Sequence, residues 1–212
     1  MSTGPDELAR LVRATGVCDP RVLQAIESVP RAAFVPSDQV SLAYSDDPIR
    51  IPHGQVTTQP SLVARMLEAL SLEGRERVLE VGTGYGFQTA LLARLAAEVV
   101  SVERLADLAE AARSNLGRQG VTGVEVLVAD GSAGCPERAP FEAIVVSAAF
   151  TSVPQPLVEQ LAPGGRLVQP VGPGGHDDVV LFERGPGELE RVRSVTPAHF
   201  VKLYGAHGFP PV

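Results

Sequence analysis

The chain has 212 residues, a formal net charge of −7, 44% hydrophobic residues and 20% charged residues. This size allows one domain with short additions, the apolar share excludes disorder, and the acidic balance disfavours a nucleic-acid backbone as partner. No apolar run approaches the roughly 20 residues of a membrane span, and the start MSTGPDELAR lacks the basic and apolar stretches of a secretory signal, so a cytoplasmic chain is expected. Cys18 and Cys135 stand apart with no CxxC partner, and His53, His176, His199 and His207 show no ligand spacing, so no metal site is expected.

In chain order, residues 6–35 read as two short helices, with Leu8, Leu11 and Val12, then Val22, Leu23 and Ile26, at helical spacing. Asp19-Pro20 starts the second as cap and first-turn proline, and Pro30 stops it. Residues 34–60 lack periodicity and contain Pro36, Pro48, Pro52 and Pro60, which predicts a long irregular connection of functional rather than filler type. A helix follows through Leu62, Met66, Ala69 and Leu70, then a strand Arg77-Val78-Leu79-Glu80-Val81. Helix 88–96, strand 99–102, helix 105–116, strand 124–128 and strand 143–147 come next. A short helix over 156–161 is closed by Pro163-Gly164-Gly165, and strand 166–169 precedes a hairpin of 179–183 and 190–195.

Strands alternating with helices predict an α/β fold with a doubly wound, mostly parallel sheet covered on both faces. The expected division is 1–60 for N-terminal helices and a covering loop, and 61–212 for a ligand-binding domain, together one structural unit. Ligands of such folds sit beyond the carboxyl ends of the strands. There the strand ending at Val81 runs into Gly82-Thr83-Gly84-Tyr85-Gly86. The spacing GxGxG is neither GxGxxG nor a phosphate loop, and no lysine follows it. Glu80 before the loop suits a ligand bearing an ammonium group. Glu103, ending the second strand, is placed to accept both ribose hydroxyls, and Asp130-Gly131, ending the third, to bind an adenine amino group. Three carboxylates after three successive strands point to S-adenosylmethionine and a Rossmann-like methyltransferase fold with an N-terminal helical extension.

Five segments carry a more specific resemblance: VPRAAFVP (29–36), LAYSDDPIRIPHGQVTTQP (42–60), RVLEVGTGYGFQTALLARL (77–95), VADG (128–131) and LAPGGRLVQPVG (161–172). The chain resembles the protein-L-isoaspartate O-methyltransferase family over nearly its whole length, and FVKLYGAHGF (200–209) resembles that family's closing strand. The resemblance implies methyl transfer from S-adenosylmethionine to the α-carboxylate of L-isoaspartyl residues in damaged proteins, leaving S-adenosylhomocysteine. It implies isoaspartyl proteins as partners; with the charge balance and the lack of a long apolar run, no nucleic acid, no membrane and a monomer are expected. It also places the loop Gln55, Val56, Thr57, Thr58 and Gln59 over the methyl donor as substrate-binding residues, with Thr58 as the catalytic residue that orients the carboxylate. Where the family commonly has G-x-T-I-S-x-P, this chain has Gly54-Gln55-Val56-Thr57-Thr58-Gln59-Pro60, and Lys202 stands where a proline is common. These departures bear on substrate range. Two alternatives are a relative that methylates an aspartate of one dedicated precursor peptide, and a non-catalytic cofactor-binding module. A carboxylate with a reference pKa of about 4 is already a nucleophile, so no general base is required.

Overall fold

A computed structural model describes residues 4–210. Helices α1 (Pro5–Ala14) and α2 (Pro20–Ser28) begin on prolines, which have no N–H to leave unsatisfied in a first turn. Asp19 caps α2 as expected, its carboxylate accepting from Arg21 N at 2.8 Å. The 34–60 connection is more ordered than its prolines suggest. Short 3-10 turns at Arg31–Phe34, Ser37–Leu42 and Pro52–Gly54 frame a two-stranded hairpin of β1 (Ile49–Arg50) and β2 (Val56–Thr57). Pieces this short carry too few residues to show a period.

From there α3 (Pro60–Leu70), β3 (Arg77–Val81), α4 (Phe87–Leu95), β4 (Glu98–Glu103), α5 (Ala106–Arg118) and β5 (Val124–Val128) alternate as expected. Strand β6 (Phe141–Val146), helix α6 (Gln155–Gln160) and strands β7 (Leu161–Val171), β8 (Asp177–Arg184) and β9 (Leu189–Ala198) complete the chain. The seven-stranded sheet runs β5-β4-β3-β6-β7-β8-β9. Its first five strands are parallel, and β8 and β9 form the antiparallel hairpin. The order reverses between β3 and β6, which opens a crevice at their carboxyl ends.

Side chains alternate across the sheet. Val78, Val99, Ala143 and Val168 face a core shared with α1 to α5, where Leu8, Ile26, Leu67 and Leu91 meet. Leu79, Val81, Val100, Ile144 and Leu167 face the second core. That face is covered more thinly, because 3-10 turns at Gly131–Ala133 and Pro136–Arg138 stand where a crossover helix would be. Helix α6 and the closing segment, through Leu157 and Leu203, complete it.

Two expectations change. Pro163-Gly164-Gly165 does not separate helix from strand, because β7 already pairs Leu161 with Phe141 and resumes at Arg166 opposite Ala143. The intervening residues form a large bulge. The segment 200–209 is not a strand but makes isolated bridges, Lys202 with Ala149 and Tyr204 with Phe209. No helix among the described residues is long and apolar enough to cross a membrane.

Candidate active site

The glycine loop takes the backbone from β3 into α4 through left-handed conformations at Gly82 (φ 95°), Gly84 (φ 55°) and Gly86 (φ 92°). Only glycine adopts these without strain. Gly84 N donates to Glu103 Oε2 at 3.0 Å, and Leu105 N donates to Glu103 Oε1 at 3.0 Å. Each carboxylate oxygen accepts one of these bonds and has capacity for another, and Glu103 lines the cleft. A carboxylate so fixed matches a vicinal diol, and the flanking Leu105 and Leu203 offer an apolar slot for a flat base. The donors and acceptors at the strand ends therefore fit S-adenosylmethionine.

Glu80 does not lie in this cleft. In β3 its side chain takes the face of Val78, opposite to Leu79 and Val81, and is fully buried beneath the loop. There Gln88 Nε2 donates to Oε1 at 3.0 Å, while Thr89 Oγ1 and Ser101 Oγ donate to Oε2 at 2.5 and 2.6 Å. Ser101 is its cross-strand partner on β4. Burial pushes the Glu80 carboxyl up to about 7 and the charge of Glu103 adds to this, against the three hydrogen bonds, which stabilise the ionised form. An ammonium ligand therefore does not meet Glu80 directly.

Asp130 is also otherwise engaged. Its Oδ1 accepts from Ser132 N at 2.9 Å and Ser132 Oγ at 2.6 Å, and Oδ2 accepts from Ala206 N at 2.6 Å. It caps the 3-10 turn after β5 and fastens the closing segment, and these bonds hold its carboxyl low despite partial burial. Gly131 does line the cleft. A Cβ there would stand 2.5 Å from Val81 Cγ1, so the position admits only glycine without movement.

The loop over the cleft is organised by Arg31, the arginine of the VPRAAFVP segment. Its guanidinium is fully buried, with no carboxylate bound to it among the described residues. Nη1 donates to the carbonyls of Ala43 and Ser45, at 3.3 and 3.0 Å, and Nη2 to Asp47 O at 2.8 Å and Thr57 Oγ1 at 3.0 Å. Burial pulls it down to about 10, against the opposing charges of Asp46 and Asp47. The Phe87 ring lies 5.7 Å below the cation. The Thr57 hydroxyl thus faces inward to Arg31, and Val56 and Thr58, one residue to either side, face the cleft. Gln59 Nε2 donates to Asp46 Oδ2 at 3.0 Å, and Gln55 Nε2 to His53 O at 3.2 Å, so both glutamines brace the loop while lining it. His53, left-handed at φ 61°, reaches Asp107 at the start of α5, with Nε2 and Oδ2 2.7 Å apart.

Beyond Thr58 the cleft widens into a cavity of about 420 Å³. Among the described residues no Asp or Glu lines it, whereas Arg65 and His199 do. In a chain of net charge −7, that lining suits an anionic group. Ser147, just after β6, lines this cavity and both compartments at the glycine loop. In the sequence Ser147 closes the run 143–147, and its place at the end of a central strand, beside the switch point, is a usable signal.

The Glu80 value carries a stability consequence. A carboxyl raised from 4.5 to about 7 binds more protons in the folded chain than in the unfolded one across that window, so its contribution is fully present below 4.5 and is lost as pH rises through about 7. At about 1.4 kcal/mol per pKa unit, the scale is on the order of 3 kcal/mol. Denaturant unfolding from about pH 4.5 to about pH 8 should show the parent losing stability relative to Glu80→Gln. Parallel curves for the two proteins would contradict it.

Comparison with known proteins agrees with this geometry. A sequence model of the family described as protein-L-isoaspartate(D-aspartate) O-methyltransferase matches residues 4–208. Protein-L-isoaspartate O-methyltransferase of Methanoculleus marisnigri is 50% identical over 198 residues, covering 93% of this chain and 90% of the relative. That of Myxococcus xanthus is 50% identical over 193 residues, covering 90% and 91%. A solved protein-L-isoaspartate O-methyltransferase superposes with a TM-score of 0.84 at 28% identity, over 96% of this chain and 67% of the other. A Plasmodium falciparum chain in complex with S-adenosyl-L-homocysteine shares the fold, with a TM-score of 0.80 at 22% identity over 95% of this chain and 98% of that one. With a matching family model over nearly its full length and relatives at half identity, the chain belongs to the protein-L-isoaspartate(D-aspartate) O-methyltransferase family.

Proposed function

We propose that this chain methylates the α-carboxylate of L-isoaspartyl residues in damaged proteins, with S-adenosylmethionine as donor, and that it works in the cytoplasm. The observation that carries this reading is the position of Thr58. Its side chain stands where the glycine-loop cleft meets a cavity with basic and no acidic lining, and its hydroxyl has no hydrogen bond among the described residues.

When bound, S-adenosylmethionine supplies an electrophilic methyl group on a sulfonium sulfur. Glu103 would hold the ribose hydroxyls, residues 82–84 would pass beneath the methionyl portion, and Gly131 would leave room for the base. Asp130 keeps Gly131 and the closing segment in place. Thr58 donates one hydrogen bond to the substrate carboxylate and so points an oxygen at the methyl group. The carboxylate is ionised near neutral pH and needs no base. Because the carboxylate would attack as the anion, the chain's residues would need to orient its oxygen and would not need to move a proton. Orientation at about 3 to 3.5 Å and exclusion of water are what the chain contributes. A single neutral donor is adequate, since a stronger clamp on the ionised ground state would slow transfer. Arg31 serves by holding residues 57–58 from below.

The substrate test compares an isoaspartyl peptide with its aspartyl twin. Methyl incorporation is expected into the first and little into the second; equal rates would favour the dedicated-peptide alternative, and no transfer to either would favour the binding module. Thr58→Val should lower kcat and kcat/KM together while S-adenosylhomocysteine affinity holds, the pattern of an interaction made mainly in the transition state. An unchanged rate would move the orienting role to the loop backbone. Glu103→Ala should weaken S-adenosylhomocysteine binding by roughly 1.5 to 3 kcal/mol, the scale of a hydrogen bond to a charged group. Calorimetry showing equal affinity would remove Glu103 from the ribose role.

A further inference from the structure

The hydroxyl of Ser147 has its direction set from beneath the site. An ionised Glu80 can only accept hydrogen bonds, so the Gln88 amide must turn its nitrogen toward it. One Nε2 hydrogen goes to Glu80 Oε1 at 3.0 Å and the other to Ser147 Oγ at 3.0 Å. Gln88 Oε1 is left buried with no partner among the described residues, so the amide's orientation is held by its two Nε2 bonds at a cost. Ser147 Oγ thus already accepts a hydrogen bond, and its own O–H has no acceptor among the described residues. Ser147 lines a cleft that it shares with Thr58 and Gly82.

We infer that Ser147 is a second catalytic hydroxyl, donating to the substrate carboxylate opposite Thr58, and that Gln88 is the positioning residue that turns it. This rests on the proposed carboxylate substrate. Two neutral donors from different segments, Thr58 on the covering loop and Ser147 just after β6, fix the carboxylate plane where one would leave it free to rotate. Neither donor is charged, so the nucleophile is not neutralised.

The test is a double-mutant cycle on Ser147→Ala and Gln88→Met at about pH 8, where Glu80 is mostly ionised. It reads kcat and KM for an isoaspartyl peptide alongside S-adenosylhomocysteine affinity by calorimetry. Ser147→Ala should lower kcat/KM roughly ten- to a hundredfold, the range for a lost hydrogen bond to a charged group, with donor affinity unchanged. Gln88→Met should lose less, the double variant should be no slower than Ser147→Ala, and Ser147→Thr should recover activity. Unchanged donor affinity also shows that each variant is folded. An active parent with an equally active Ser147→Ala overturns the inference alone, as do strictly additive losses. A loss confined to S-adenosylhomocysteine affinity also overturns it, by placing the hydroxyl on the donor's side. A parent that methylates no isoaspartyl peptide removes the substrate reading and the inference with it.

Discussion

A carboxyl group is costly to bury, and Glu80 is fully buried in the central strand of this sheet. Its cost is met by three donors from two elements: Gln88 and Thr89 on α4, and Ser101 on β4. Satisfying Glu80 therefore fixes how α4 sits on the sheet. The first turn of α4 is where the glycine loop lands, so the loop's geometry follows from the same constraint. Thr83 joins the set through its 2.6 Å contact with Ser101, and Ser147 through Gln88. One buried carboxyl links the ends of β3, β4 and β6 into a single polar layer under the cleft.

The opposite wall depends on a second buried charge, of the other sign. Arg31 spreads its donors over carbonyls of residues 43, 45 and 47 and the hydroxyl of Thr57, segments with little regular structure to hold them. A planar fork with five donors spans such a set, and a lysine would not. Because residue 57 is turned down toward Arg31, residue 58 is turned toward the cleft. The loop proposed to bind substrate is thus aimed from below, as the glycine loop is, and the cleft lies between two preorganised surfaces. Placing neutral hydroxyls there, with the charges one layer back, suits a reaction whose nucleophile is an anion.

Much of this was legible in the sequence because much of it is local. Asp19 caps the helix that begins one residue later, and VLEV, VVSV and AIVVS are apolar runs that only a sheet buried on both faces accommodates. Glu103 lines the cleft, a position legible in sequence because the end of a strand is also the edge of the sheet. Glu80 was misplaced by one layer. Its position before the glycines was clear, but its side of the sheet depends on alternation with Val78, and its partners lie 8, 9 and 21 residues away. Asp130 was legible only in part: its bond to Ser132 is readable two residues on, but the one to Ala206 spans 76 residues. Arg31 was visible as part of a motif, yet its role as the anchor of the loop was not, since its acceptors are backbone carbonyls that carry no residue signature.

The central claim is that an ionised substrate carboxylate is held by neutral hydroxyls at the junction of the two walls. A crystal structure of the chain with S-adenosylhomocysteine and an isoaspartyl peptide tests it most directly. The expected result places the peptide's α-carboxylate within about 3 Å of the hydroxyls of Thr58 and Ser147, with one oxygen turned toward the sulfur. A carboxylate bound instead to the guanidinium of Arg65 or the ring of His199, away from both hydroxyls, would contradict it.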